Sequence, residues 1–297
     1  MTPTLAHVQA LQAYITDEVF LSLGLPPKGW LRKLLEPILR APTQHFAQLA
    51  ASFDQRVARF GFKEAAHWLL PKFVGHVTVT GTEHIPPHGP LIIASNHPGT
   101  YDSLIIAGNL PRDDLKIIAG GVPFIRGLPS SARHLIYSTV DTHVRMLALR
   151  SSLRHLQQGG ALLIFASGGI DPDPAHMPGA ERELEAWSPS LVFLLRKAPL
   201  TKVVVTIVSG VLSPTFIRHP LTRVRRARRD RQRIAEFLQV IRQMLKPNHI
   251  LLNPKVSFAQ PLTTNQLRDG ADQPIQLGKI ITQAKKLLGD HTAEPTN

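Results

Sequence analysis

Short apolar runs separated by helical segments are the feature that most constrains the fold of this chain. The clearest runs are Leu91–Ala94, Leu115–Ala119, Ala161–Phe165 and Val203–Val208, with Val77–Val79 and Lys255–Phe258 as weaker candidates. Runs that are apolar at every position are typical of strands buried on both faces of a parallel sheet. Because such runs alternate with helical segments, the sequence predicts an α/β fold with a mainly parallel central sheet flanked by helices.

The first 75 residues follow a different pattern. They predict an N-terminal amphipathic helical region at 1–75, ahead of an α/β domain at 76–297. Apolar residues recur every three or four positions in three segments, Leu5–Val19, Leu31–Leu39 and Leu49–Phe60. Basic residues accompany these segments, and Trp30 and Trp68 flank them, which favours helices that lie on a membrane surface. A helical cap packed on the sheet domain accounts for the same pattern equally well.

The charge of the chain indicates an anionic partner. The net charge is +13 and the pI is near 10.5, whereas an aromatic content of 6% argues against a nucleic-acid surface built on base stacking. Eight arginines lie in Arg218–Arg233, just before apolar residues with helical spacing. Each basic residue near an anionic membrane is worth about 1 kcal/mol. We therefore assign membrane contact to Arg223, Arg225, Arg226, Arg228 and Arg229, with a solvated helix face as the alternative.

The chain contains no cysteine, so it holds neither a disulfide framework nor a thiolate zinc site. Its first twenty residues lack a basic segment followed by a long apolar run, which predicts no signal peptide. No uninterrupted apolar stretch approaches the roughly 18 residues that a membrane span needs. We expect any contact with a membrane to be peripheral and from one side.

One strand end carries residues suited to proton transfer. Ser95 and Asn96 close the run that begins at Leu91 and place His97 at its carboxyl end, where ligands of open α/β sheets usually bind. Pro98 disfavours helical backbone at His97 and fits a first helical turn, so His97 can fold back over the turn that carries Asp102. An imidazole held by a carboxylate leaves its other nitrogen free to take a hydroxyl proton. A capped strand-to-helix turn with a merely polar histidine is the alternative.

These residues stand in the stretch VTVTGTEHIPPHGPLIIASNHPGTYD, which resembles the signature of the glycerolipid acyltransferases, a superfamily that includes lysophosphatidic acid and glycerol-3-phosphate acyltransferases. The resemblance runs from about Val77 to Gly210, and the family's His-x4-Asp motif is complete from His97 to Asp102. It implies that His97 is the base that activates an acceptor hydroxyl and that Asp102 orients it. It also implies a CoA or acyl-carrier-protein thioester as donor, a lipid or lysolipid acceptor, and a cytoplasmic protein peripheral to the inner face of the membrane. No metal or cofactor is needed, because the donor is a substrate.

The later motifs of the family are incomplete here. The third block, normally Phe-Pro-Glu-Gly-Thr-Arg-Ser, reads from Phe165 to Asp171 without the Glu and with Ile170 in place of the Arg. In the second block, Gly121–Gly127 offers Arg126, but Ile136–Asp141 fits the position better and lacks an Arg. The substrate-binding residues predicted on this basis are Asn96, Gly99, Thr100, Arg126, Arg133, Ser167, Gly168 and Gly169. The Gly168–Gly169 backbone amides could also bind an oxyanion.

The altered motifs leave several alternatives. Either Arg126 or Arg133 meets an anion on the acceptor, or the acceptor is not a glycerol phosphate. A catalytically altered or inactive lipid-binding relative is the alternative to an active acyltransferase. A serine hydrolase using Ser167 would need a Gly-x-Ser-x-Gly elbow, which is missing. Asp171 and Asp173 in Asp-Pro-Asp-Pro predict turn chemistry rather than a metal site.

Overall fold

The computed structural model describes residues 4–26, 28–120, 123–247, 249–250, 252–270 and 274–293. Within these residues seven strands form one sheet: β1 (Thr78–Thr80), β2 (Leu91–Ser95), β3 (Leu115–Gly120), β4 (Leu135–Ser138), β5 (Ala161–Phe165), β6 (Lys202–Ser209) and β7 (Lys255–Phe258). Their order across the sheet is β1-β7-β6-β2-β5-β3-β4. The neighbouring strands β6, β2, β5, β3 and β4 all run parallel to one another. β7 pairs antiparallel with β6 and parallel with β1. The predicted α/β fold with a mainly parallel sheet is confirmed.

Helices precede the sheet and cover both of its faces. In the described residues they are α1 (Leu5–Leu23), α2 (Trp30–Phe60), α3 (Phe62–Leu69), α4 (Asp102–Asn109), α5 (Pro123–Arg126), α6 (Pro129–Ala132), α7 (Thr142–Gln157), α8 (Ala180–Leu184), α9 (Ser190–Lys197), α10 (Pro214–Ile217), α11 (Arg228–Leu245) and α12 (Leu277–Ala293). None of the described helices combines the length and the apolar character that crossing a bilayer requires.

Two of the predicted N-terminal segments are one helix. The sequence analysis separated Leu31–Leu39 from Leu49–Phe60, but α2 continues through Pro37 and Pro42. A proline removes a backbone donor from a helix and leaves a carbonyl one turn earlier without its usual partner. Thr43 Oγ1 donates to the Leu39 carbonyl at 2.7 Å and Gln12 of α1 donates to the Arg40 carbonyl at 3.0 Å. These bonds add donors to two carbonyls of the turn around Pro42 and tie that turn to α1.

The strand β4 and the start of α4 also differ from the prediction. The sequence does not predict β4, because the run Leu135–Ser138 has only two aliphatic residues, and in the structure it is buried at a single position, Ile136. The helix after His97 begins at Asp102, so Pro98 lies in the turn before it rather than in its first turn. Gly121 and Val122 of the partial second block lie outside the described residues.

The centre of the sheet is buried on both faces. Leu91 and Ile93 of β2 pack on one side with residues of α2, α3 and α4, while Ile92 and Ala94 pack on the other with residues of α7, α9 and α12. This explains the uninterrupted apolar runs, since both orientations of the side chain are covered. The parallel strands therefore share one carboxyl edge, and the loops at that edge lie around the end of β2.

Candidate active site

The turn between β2 and α4, residues 96–102, brings His97 and Asp102 together and is called the His97 turn below. The Nδ1 atom of His97 lies 2.7 Å from Oδ2 of Asp102, whose side chain is fully buried. The Asp102 carboxylate also accepts from the backbone N–H groups of Gly99 at 3.2 Å and Ser103 at 2.6 Å. Since a carboxylate only accepts hydrogen bonds, Nδ1 of His97 carries the hydrogen of this bond. Nε2 is the other ring nitrogen and takes no part in the bond to Asp102.

The His97 ring is partly open to solvent. Its side chain is 30% exposed, and the ring stacks on Phe165 with centroids 4.2 Å apart. Nε2 has no hydrogen-bond partner among the described residues. Burial lowers the pKa of His97, but the Asp102 carboxylate, with smaller contributions from Glu236 and Asp171, more than offsets it and raises the pKa to about 9.

A residue from the loop after β5 fixes the backbone of His97. The N–H of His97 donates to Oδ2 of Asp171 at 2.9 Å, and the N–H of Asp171 donates to the carbonyl of His97 at 2.7 Å. Burial raises the pKa of Asp171. The buried carboxylate of Asp173 accepts from the backbone N–H groups of Ala175, Gly210, Val211 and Leu212. Both aspartates thus act on backbone amides, and Asp171 belongs to the site.

Helix α11 presents polar residues to the His97 turn and the loops beside it. Gln232 Nε2 donates to the carbonyls of Pro98 at 2.8 Å and Asp171 at 2.7 Å. Further along the helix, Gln239 bonds to the backbone of Ser213 and Val211, and Gln243 accepts from the Tyr101 hydroxyl at 2.8 Å. The buried face of α11 combines apolar residues such as Ile234 with these glutamines, because backbone groups of the loops supply the hydrogen bonds that the glutamines need.

Glu236 lies on the same polar face of α11. Its Oε2 accepts from the Thr100 hydroxyl at 2.8 Å, while Oε1 is buried without a partner in the described residues. A Cβ added at Gly99 would lie 3.4 Å from Oε1 and 3.2 Å from the side chain of Val211, so glycine lets the turn pack closely there. Burial, offset in part by Thr100 and His97, raises the pKa of Glu236 to about 7.

Three turn residues predicted to bind substrate have partners within the protein. The amide of Asn96 both donates to and accepts from the backbone of Val208 in β6, and its side chain is buried. Gly99 is buried against α11, and the Thr100 hydroxyl is bonded to Glu236. The prediction for Asn96 and Gly99 is therefore corrected: they build the turn, because their polar groups are already paired and buried.

The loop after β5 brings two arginines of α11 to the site. A Cβ at Gly169 would lie 2.5 Å from Nη1 of Arg229, so the guanidinium rests directly on the glycine backbone. Arg228 donates to the carbonyl of Ile170 at 2.9 Å, and both arginines bond to Glu183. Arg228 and Arg229, which the sequence assigns to membrane contact, are thus ion-paired beside the loop that contacts His97, and Arg229 keeps 48% of its side chain exposed.

Ser167 and Gly168, the other predicted residues of this loop, form a polar turn at the end of β5. The Ser167 hydroxyl donates to the carbonyl of Gly169 at 3.1 Å and accepts from its N–H at 3.3 Å, rather than bonding to His97. Gly168 is exposed with φ of +70°, a conformation that favours glycine. This arrangement gives no support to a Ser167 nucleophile.

The two arginines predicted from the second block lie at opposite edges of the sheet. Arg126 of α5 follows the carboxyl end of β3, and its guanidinium lies 5.3 Å from the centroid of the Tyr137 ring. Arg133 precedes the amino end of β4, and β4 is parallel to β2. Because parallel strands share their carboxyl edge, Arg133 lies at the edge away from His97, and its prediction as a substrate-binding residue is corrected.

Of the other predicted membrane-contact arginines, Arg225 lies beside the end of α1. The Arg225 guanidinium packs on Gly24 and bonds to Asp230 at 3.2 Å. Arg223 and Arg226 are exposed, and no ion pair or hydrogen bond to either is seen within the described residues. The basic stretch is also not one helix, since a 3₁₀ turn at Pro220–Val224 precedes α11.

Sequence reasoning missed Asp171, Gln232, Glu236 and Arg229 as residues of the site. A usable signal existed for the helix: positions 232, 236, 239 and 243 follow helical spacing and therefore share one face. No spacing could have placed Arg229 against Gly169, because 60 residues of chain separate them.

The chain was compared with protein families, with proteins of curated function and with solved structures. Residues 76–213 match the family model described as Acyltransferase. No protein of curated function matches the sequence. The crystal structure of the 1-acyl-sn-glycerophosphate (LPA) acyltransferase PlsC from Thermotoga maritima is similar over 97% of this chain and 98% of that chain, with 15% sequence identity and a TM-score of 0.46.

Proposed function

We propose that the chain moves a fatty acyl group from a thioester to a hydroxyl of a lipid acceptor, because residues 76–213 match the Acyltransferase family model. The donor is acyl-CoA or acyl-acyl carrier protein, and the acceptor is a glycerolipid or related lysolipid. The observation that carries this proposal is the 2.7 Å contact between His97 Nδ1 and Asp102, which leaves Nε2 without a partner in the described residues.

In the proposed reaction His97 is the general base. Its Nε2 takes the proton of the acceptor hydroxyl as that oxygen attacks the thioester carbonyl carbon. The resulting tetrahedral oxyanion collapses, the carbon–sulfur bond breaks, and the leaving thiolate takes the proton from the imidazolium. Asp102 holds the ring and stabilises its positive charge. Protein groups return to their starting state, so no bound cofactor is consumed.

The loop after β5 supplies candidate groups for the negative charges of the reaction. Gly168 is exposed, and backbone N–H groups at such a turn suit an oxyanion. Arg229 is 48% exposed and bonds through one nitrogen to Glu183. Two arginines share this single carboxylate, which leaves one positive charge uncompensated in the cluster. We propose that Arg229, rather than Arg133, meets an anionic group on the acceptor.

We further propose that the protein works at an anionic membrane surface. The exposed residues Trp30, Leu34 and Ile38, at 73%, 60% and 70% exposure, follow one another at four-residue spacing along the first half of α2. The second half of α2 packs into the sheet domain through Phe53 and Val57. The helix therefore supports both sequence interpretations, one in each half.

Basic and apolar residues meet near the end of α1. Arg225 packs on Gly24, three residues after the exposed Leu21, and the adjoining 3₁₀ turn exposes Leu221 and Val224. Exposed apolar residues beside arginines suit a lipid interface. The cytoplasmic, inner-face location remains part of this proposal.

The proposed activity is tested by product analysis with mass spectrometry, using acyl-CoA or acyl-acyl carrier protein with phosphate-bearing lysolipids and neutral monoacylglycerols. His97→Ala should abolish every acylated product while leaving the circular-dichroism spectrum unchanged, and retained turnover would reject His97 as the base. Arg229→Gln should lower kcat/KM at least tenfold for phosphate-bearing acceptors and change it little for neutral ones. The matched control is Arg226→Gln in detergent solution, since Arg226 is exposed away from the loop.

A further inference from the structure

The mechanism above leaves one partly buried acid beside the His97 turn without a role. Glu236 of α11 faces the turn, and the nearest polar group it binds is the Thr100 hydroxyl, at 2.8 Å from Oε2. Its other oxygen, Oε1, is buried and has no hydrogen-bond partner in the described residues. A buried carboxylate oxygen without a partner is costly, so it calls for a compensating charge or a proton.

The charged groups around Glu236 come from three parts of the chain. Its own helix contributes Arg233, which favours the ionised carboxyl, and the His97 turn contributes His97 and Asp102, of opposite sign. The charge of Glu236 also acts on the buried Tyr101 side chain, where, together with burial, it raises the pKa of the hydroxyl. From the loop after β5, Asp171 bonds to the backbone of His97. Among these groups, His97 is a cation only after it has taken a proton.

This arrangement couples the charge of Glu236 to that of His97. When His97 is neutral, the ionised Glu236 side chain is repelled by Asp102, and Arg233 is the cation that favours its charge. When His97 is protonated, a positive charge appears across the turn, and the Glu236 carboxylate stabilises it. With the pKa of His97 at about 9, the ring is mostly protonated at pH 7, and the neutral fraction acts as the base. The Glu236 carboxylate favours the protonated ring in both states, so it raises the proton affinity of the base that takes the acceptor's proton.

We propose that Glu236 is a positioning residue for acyl transfer: its carboxyl holds the His97 turn through Thr100 and stabilises the imidazolium that forms on His97. The geometry gives this role a clear basis. Gly99 and Thr100 lie between His97 and Asp102 in sequence, and the Glu236 carboxyl contacts both of them. The inference rests on the proposed function only in its kinetic part, because the coupling between the two side chains exists without substrate.

The test compares Glu236→Gln with the wild-type protein. Glutamine keeps the shape and can still accept from Thr100, but it removes the charge. In ¹⁵N-histidine NMR of the full-length protein, we expect the pKa of His97 to fall by at least about half a unit, a threefold change in its proton affinity. The pH at which kcat/KM is half-maximal should fall by the same amount, and the plateau kcat should drop at least about threefold.

Thr100→Val is the matched control, since it removes the hydrogen bond but leaves the carboxylate. It should leave the pKa of His97 within about 0.2 of the wild-type value. A Glu236→Gln protein whose His97 titrates as in the wild type would overturn the proposal. The NMR result does not depend on turnover, so it stands apart from the search for an acyl acceptor.

If Glu236→Gln does not fold, the inference is tested on the wild-type protein by following the ¹³C resonance of the Glu236 carboxyl as the pH changes. Burial raises the pKa of Glu236 to about 7, and its titration should also report the ionisation of His97. A single midpoint near 4.5, the ordinary value, would show a carboxyl that is neither buried nor coupled and would contradict the inference.

Discussion

The ion pair between His97 and Asp102 has a consequence for stability that can be measured without any substrate. The pKa of His97 rises from 6.5 to about 9 in the folded protein, which corresponds to about 3 kcal/mol in favour of the protonated ring. Because the ring is partly exposed, solvent screening makes this an upper value. A group whose pKa is raised by folding stabilises the protein fully below its unfolded pKa. We therefore expect this contribution to be present at pH 6.5 and to be lost as the pH rises through about 9.

Asp102→Asn removes the negative charge that raises the pKa of His97. The variant should unfold more easily than the wild type at pH 7, by about 3 to 4 kcal/mol, because it loses the ion pair and weakens the bonds to Gly99 and Ser103. At pH 9.5 the difference should shrink to about 1 to 2 kcal/mol, since His97 is then largely neutral in both proteins. Urea denaturation followed by circular dichroism at both pH values gives the two free energies of unfolding.

Asp54→Asn is the matched control for this experiment. Asp54 is also buried and accepts from the N–H groups of Ser130 and Ser131, but its carboxylate has no imidazole partner. Its loss should cost the same free energy at both pH values. If the effect of Asp102→Asn were equally independent of pH, the ion pair would not be the source of the raised pKa, and the electrostatic reasoning for the site would fail.

Two further predictions concern α11 and the turn before it. Gln232→Ala should lower the free energy of unfolding by about 2 kcal/mol, because the carbonyls of Pro98 and Asp171 lose a buried donor. Gln157→Ala, at an exposed position, should change the free energy of unfolding by no more than about 0.5 kcal/mol. An equal effect of both variants in urea titrations would contradict the role of Gln232. Replacing Arg223 and Arg226 by Gln should weaken binding to anionic vesicles by roughly tenfold or more, at about 1 kcal/mol for each arginine. Lys197→Gln with Lys286→Gln, on the opposite face of the sheet, should change flotation little, and unchanged binding of the Arg223/Arg226 variant would reject this surface as the membrane contact.

Much of the fold could be predicted because it rests on local patterns. The apolar runs from Leu91, Ala161 and Val203 are strands at the predicted places, and the alternation of strands and helices gave the right architecture. The continuous helix through Pro37 and Pro42 was not predicted, since proline weakens a helix and the packing of α2 on α1, which includes the bond from Gln12 to the Arg40 carbonyl, is not recorded in local sequence. The short strand β4 was missed because its pairing with β3 is non-local.

The candidate site divides in the same way. The sequence by itself determined the pair His97 and Asp102, because both residues lie in one short turn after a buried strand, where local backbone geometry decides whether their side chains can meet. Only the tertiary structure decided that Glu236, Gln232 and Arg229 of α11 lie against that turn and the loop after β5, and that Arg133 lies at the far edge of the sheet. The physical reason is distance along the chain: side chains brought together across 60 residues or more depend on how helices pack on the sheet, and no local spacing records that packing.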